Sequence, residues 1–222
     1  MIRAFRAGCL ALVLAVLLVA TLRWGGWWRI REVRVPETRY FTTEQLTEIL
    51  LGANVLRLDI RGVRDVVRRD PRVQEVRIRV RPIWQRVEVD IREREPVAQV
   101  RLKQGQAVWV DAEGVILGVA PEAALVGIVP EGPRVRPEAV AAALSIARLD
   151  PELRASFPVF DASDPDCVVA KGAGGPTLLL GAIGQLGDKL AILEGLWDMD
   201  GLAKYAAVDL RWGDQVILTR RR

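Results

Sequence analysis

Residues 30–118 constrain the fold more than any other part of the chain, because they order one strand, two short helices and two long alternating strands. Ile30, Val33 and Val35 start a strand that Pro36 ends. Thr42 precedes Gln45 by three residues, a capping-box spacing that satisfies two backbone N–H groups at a helix start. Behind it Leu46, Ile49 and Leu50 recur at helical spacing, and Gly52 suits the left-handed residue past a helix end. Asp59 fits the N-cap of a second helix, with Ile60, Val63, Val66 and Val67 on one face, and Asp70-Pro71 stops it.

Strict alternation follows. Val73, Val76, Ile78 and Val80 point one way, after a small irregularity, and Arg77, Arg79 and Arg81 point the other. Val87, Val89 and Ile91 answer them, with Glu88, Asp90 and Arg92 on the outer face. Pro82-Ile83-Trp84-Gln85 is the hairpin connection. The pattern predicts a core of Val76, Ile78, Val87 and Val89 packed on Leu46, Ile49, Val63 and Val67. Cross-strand pairs of Arg with Glu or Asp would neutralise the outer face, so the arginine row reads as a solvated salt-bridge ladder.

Composition removes whole classes of chemistry. The 222 residues include no His, which rules out His-based acid–base catalysis, catalytic triads and most zinc sites. Cys9 and Cys167 lie far apart in sequence, one in an apolar run and one in the folded region, and read as small buried hydrophobes. A net charge of +4, with Arg and acids interleaved, gives no basic stripe for nucleic acid.

Ahead of the module, Gly8 to Leu22 is an uncharged apolar run bounded by Arg6 and Arg23. It is shorter than the roughly 20 residues of a spanning helix. Snorkelling arginines and the belt of Trp24, Trp27 and Trp28 extend it to a sufficient length. No small-residue cleavage site precedes a mature start, so an uncleaved anchor over residues 7–28 is expected, with a tail of residues 1–6. Arginines flank both sides, so charge leaves the orientation open. The short N-terminal tail favours a cytoplasmic N-terminus.

Pro96 marks a boundary. Beyond it short strands fall at Val97 to Leu102, Ala107 to Val110 and Val115 to Leu117, the last two joined by an Asp111-to-Gly114 turn. Pro137 opens a helix with Val140, Ala143, Leu144 and Ala147 inward. Strands follow near Val159, Val168 and Thr177 to Leu180. A longer helix carries Ile183, Leu186, Leu190, Leu193 and Trp197, and two strands, Ala206 to Trp212 and Gln215 to Thr219, close the chain. This half reads as a largely antiparallel sheet with helices outside it.

Candidate chemistry is thin. In Lys171 to Pro176 the lysine precedes the glycines and no Gly-Lys-Ser/Thr follows, so the segment is a turn and no phosphate loop. Asp161, Asp164 and Asp166 share a loop and are read as solvated in preference to a Ca²⁺ site. No Ser or Cys sits in a nucleophile elbow. No catalytic residue, cofactor or metal site is expected.

The order and spacing of these segments resemble the FtsQ/DivIB family of bacterial cell-division proteins over nearly the whole chain. The resemblance rests on the N-terminal span, the run VRDVVRRDPRVQEVRIRVRPIWQRVEVDIREREPVAQV, then VWVDAEG, LLLG with KLAILEGLW, and the closing YAAVDLRW. Glu75 and Trp212 depart mildly from the family pattern. The resemblance implies an α+β architecture: one transmembrane helix, a POTRA domain at 29–95 and a mostly antiparallel β domain at 96–222. It implies a non-catalytic, single-pass scaffold of the division machinery at the septum, with its bulk outside the inner membrane. It also implies partners of the coiled-coil FtsB/DivIC and FtsL type, with no small-molecule substrate. By the same resemblance the partner site falls on Tyr205, Asp209, Arg211, Trp212, Gln215, Ile217 and Thr219. Physics adds that Gln215 to Thr219 suits a sheet edge open to an added strand, with Trp212 as an aromatic anchor. The alternative for Trp212 is packing on the long helix. Arg220, Arg221 and Arg222 read as a tail guarding that edge or a rim for an acidic partner. Two rival readings are a POTRA-bearing assembly or secretion factor, and a membrane-anchored secreted enzyme using Asp111 and Glu113. The first needs many barrel strands that this pattern does not supply.

Overall fold

A computed structural model describes residues 12–20, 28–39, 44–172, 174–200, 202–213 and 215–221. The chain divides into two compact units, Met1–Arg94 and Glu95–Arg222.

In the first unit β1 (Glu32–Arg34) leads to α1 (Glu44–Leu50), α2 (Ile60–Val67), β2 (Val73–Arg81) and β3 (Arg86–Glu93). The sheet order is β1-β3-β2, with β1 parallel and β2 antiparallel to the central β3. Thr42, the capping residue of the expected box, lies outside the described residues. The other helix signals are in place. Gly52 has φ +81°, and the Asp59 carboxylate accepts the Gly62 N–H at 3.0 Å.

The alternation sets the register. Val76, Ile78 and Val80 oppose Ile91, Val89 and Val87, while Arg77 opposes Asp90 and Arg79 opposes Glu88. Val76, Val87, Val89, Leu46 and Val67 are buried as expected, and Ile78 and Val63 pack half-buried beside them. Ile49 is a correction. It is 59% exposed, and Val66 is likewise exposed. Successive helical residues turn by about 100°, so the i, i+4 pairs Leu46–Leu50 and Val63–Val67 face the sheet. Ile49 and Val66 then lie about 100° from the buried Leu50 and Val67, on the helix flanks. The outer face is charged as read, with a change of partners. Arg77 binds Glu75 on its own strand at 2.9 Å, and Arg81 reaches Glu88 diagonally at 3.6 Å.

Residues 12–20 are helical and exposed throughout. No helix among the described residues is long and apolar enough to cross a membrane. The remainder of the expected anchor, 7–11 and 21–27, lies outside the described residues.

The second unit is built on one nine-stranded sheet. Its strands are β4 (Ala98–Leu102), β5 (Ala107–Val110), β6 (Ile116–Val119), β7 (Leu125–Ile128), β8 (Phe160–Asp161), β9 (Val168–Lys171), β10 (Thr177–Gly181), β11 (Tyr205–Asp209) and β12 (Ile217–Arg220). Helices α3 (Pro137–Arg148) and α4 (Pro151–Ser156) precede β8, and α5 (Leu186–Asp200) follows β10. The order is β12-β11-β10-β9-β8-β7-β4-β5-β6. The sheet is more mixed than expected, because β4–β7, β7–β8 and β10–β11 run parallel. The parallel neighbours are joined by long crossovers, and β7, short and weakly alternating, gives little strand signal in sequence.

Alanines 139, 142 and 143 with Ile146 form the buried face of α3, while Ala147 in its last turn is exposed, against expectation. Leu186, Leu190 and Leu193 of α5 are buried, and Trp197 meets Phe157 edge to face at 6.4 Å. The Asp111 turn forms as read. Asp111 is buried, and its carboxylate accepts the Val115 N–H at 2.7 Å.

Candidate partner-binding edge

Two neighbouring strands of opposite character make the end of the large sheet. β11 runs parallel to β10, with Val208 opposite Leu178, and the Leu210 N–H donates to the Leu179 carbonyl at 2.8 Å. Val208 and Leu210 are fully buried, so β11 is fastened to the core. Among the described residues β12 pairs antiparallel with β11 on one side only and is the terminal strand of the sheet. Every residue of β12 is exposed, including Ile217 and Leu218. A strand paired on one side presents a row of unsatisfied N–H and C=O groups to any added strand.

The turn between the two strands is held from both sides. Asp209 receives the Arg211 guanidinium through Nε at 2.9 Å and Nη2 at 2.7 Å, and it also accepts the Arg211 backbone N–H at 3.0 Å. Arg211 accounts for most of the depression of the Asp209 carboxyl to about 2, with a smaller contribution from Trp212. The Gln215 N–H closes the turn on the Trp212 carbonyl at 3.0 Å. From α5, the buried Lys189 ammonium donates to the Gly213 carbonyl at 2.7 Å.

The predicted partner residues divide accordingly. Tyr205 and Asp209 are half-buried on β11, and Lys204 stacks over the Tyr205 ring at 5.4 Å. Arg211, Trp212, Gln215, Ile217 and Thr219 are exposed. Trp212 is 60% exposed and is not buried against the long helix. Thr219 opposes Ala207, and Ile217 opposes Asp209. Lys189 and Leu218 escaped the sequence reading. A lysine three residues from Leu186 on a buried helical stripe was the available signal for the first. Arg221 docks on the Gly175 carbonyl at 2.9 Å and is part of the fold, while Arg222 lies outside the described residues.

Among the described residues no group of three His, Cys, Asp or Glu is disposed to hold a metal. Asp161 and Asp164 instead accept the backbone N–H groups of Ser163 and Asp166 within their loop.

The first unit matches a known domain family. Its β-α-α-β-β order and β1-β3-β2 sheet coincide with the match of residues 28–94 to the POTRA domain, FtsQ-type. This segment is an FtsQ-type POTRA domain. The match supports an FtsQ/DivIB-family protein related to cell division, as the sequence resemblance implied. No curated protein matches the chain. Among the described residues β2 of the POTRA domain is likewise paired only with β3.

Proposed function

We propose that this protein is a non-catalytic, single-pass scaffold of the bacterial division machinery, and that β12 is its docking strand. The observation that carries the reading is the exposed edge. β12 is paired on one side, is solvent-exposed along its length, and has the exposed Trp212 beside it. A partner strand added there would gain main-chain hydrogen bonds, and Trp212 would supply an aromatic anchor of the kind that dominates interfaces. The partners are extracytoplasmic segments of coiled-coil proteins of the FtsB/DivIC and FtsL type, by family resemblance. The apolar helix of residues 12–20, exposed along its length, supports an anchor in the inner membrane, and the family resemblance gives that anchor a cytoplasmic N-terminus.

A fluorescently tagged full chain tests the role in dividing cells. It should collect at the septum, and uniform distribution around the envelope would overturn the reading. Protease added to spheroplasts tests the orientation. Digestion of the C-terminal units is expected, and full protection would reverse it.

A further inference from the structure

The β2–β3 hairpin carries an apolar tip that neither the POTRA core nor the β12 edge uses. Ile83, at 83% exposure, is the most exposed large hydrophobic side chain among the described residues, and Trp84 next to it is 64% exposed. The tip is shaped in advance. Pro82 opens a tight 3-10 turn, the Gln85 N–H returns to the Pro82 carbonyl at 3.1 Å, and Gln85 holds φ at +52°. Holding a non-glycine residue in the left-handed region costs energy, and the turn that does so leaves two apolar side chains in solvent.

The tip sits where the chain enters the domain from its apolar segment. The Arg31 and Glu32 N–H groups both donate to the Gln85 carbonyl, at 2.8 and 3.3 Å. Because β1 and β3 are parallel, with Glu32 opposite Arg86, both strands begin at this end of the sheet. The other end of β3, Glu93, lies seven residues further on, about 23 Å away at strand rise. From residue 20, the last described residue of the apolar helix, to Trp28 is eight steps, about 29 Å at full extension. The anchored chain therefore enters the domain at the tip's end of the sheet, while β3 ends at the far end.

The charges at the tip fit an anionic surface. Arg81 lies directly opposite Arg86, a like-charge pairing that disfavours the hairpin itself. Glu88 and Glu32 relieve it in part, at 3.6 and 2.7 Å. Arg29, Arg31 and Arg79 are exposed on neighbouring positions. Tryptophan and isoleucine flanked by arginines is the composition that partitions into a headgroup region, where indole settles at the interface and basic side chains meet anionic lipid.

We infer that the Ile83-Trp84 tip dips into the outer headgroup layer of the anchoring membrane, fixing the POTRA domain against an anionic lipid surface. This rests on the anchor reading above. The test keeps the full chain, with Cys9→Ala and Cys167→Ser, in phosphatidylglycerol–phosphatidylcholine vesicles. A nitroxide is placed singly by Val16→Cys, Ile83→Cys or Arg92→Cys, and its collisions with oxygen and with a water-soluble nickel chelate are compared. Position 16 should favour oxygen strongly, position 83 should lie between, and position 92, near the far end of β3, should favour the chelate. Adding Trp84→Glu should move the label at 83 into water without changing the melting temperature. A label at 83 that behaves like 92, while 16 remains in lipid, overturns the tip contact and leaves the anchor standing. A label at 16 that also behaves like 92 overturns both.

Discussion

Asp209 and Arg211, two residues apart in sequence, are joined by two side-chain hydrogen bonds of 2.9 and 2.7 Å, at the position where β11 gives way to the turn before β12. The pair orients the turn that carries Trp212. It also has a pH signature. The folded-state carboxyl is depressed from 3.8 to about 2, so its contribution to stability is whole above about pH 4 and fades as the pH falls toward 2. Comparison of urea unfolding for the wild type and Asp209→Asn should show a stability difference at pH 7 that shrinks across that acid window. A difference independent of pH would mean that the ion pair contributes nothing there.

The POTRA core makes a paired prediction. Val89 is 1% exposed, in the central strand, and Val89→Ala should cost about 1–3 kcal/mol, as for other buried large-to-small changes. Ile49 is 59% exposed, and Ile49→Ala should stay within about 0.5 kcal/mol. Chemical denaturation of the two variants measures both. Equal losses would mean that α1 is rotated from the orientation described.

How much of this was legible in sequence depends on period. The β2–β3 hairpin was readable to its connecting residues, because alternation with a charged face admits one register. The rotation of α1 was not. In a seven-residue helix Leu46, Ile49 and Leu50 satisfy the helical pattern equally, and only the position of the sheet separates Ile49 from the other two. The parallel crossovers of the large sheet were hidden for a related reason. Leu125–Ile128 and Phe160–Asp161 are too short to alternate, and their parallel partners are far away in sequence. At the candidate edge, the residues came from family resemblance and from the last apolar strand. The buried Lys189 that pins the turn required three dimensions.

Gly114 offers a sharper test of backbone geometry. It holds φ at +77°, and a Cβ there would stand 2.2 Å from the Val135 carbonyl oxygen. Neither the conformation nor the contact can relax cheaply, since both partners are backbone. Gly114→Ala should destabilise the second unit by about 2 kcal/mol or more. A melting temperature equal to that of the wild type would contradict the turn as described.

The edge itself gives the most direct measurement. Along an antiparallel strand successive residues turn their N–H groups alternately toward the paired strand and away from it. Of Ile217→Pro and Leu218→Pro, one therefore removes an N–H from the open side while leaving the β11 pairing intact. The full chain carrying each change, and Trp212→Ala, is titrated with the extracytoplasmic segments of the coiled-coil partners, with melting curves as the control for folding. One proline variant should melt like the wild type and bind at least about tenfold more weakly, a change of about 1.4 kcal/mol. Trp212→Ala should lose about 2 kcal/mol or more of binding. If all the folded variants bind as the wild type does, β12 is not the docking strand.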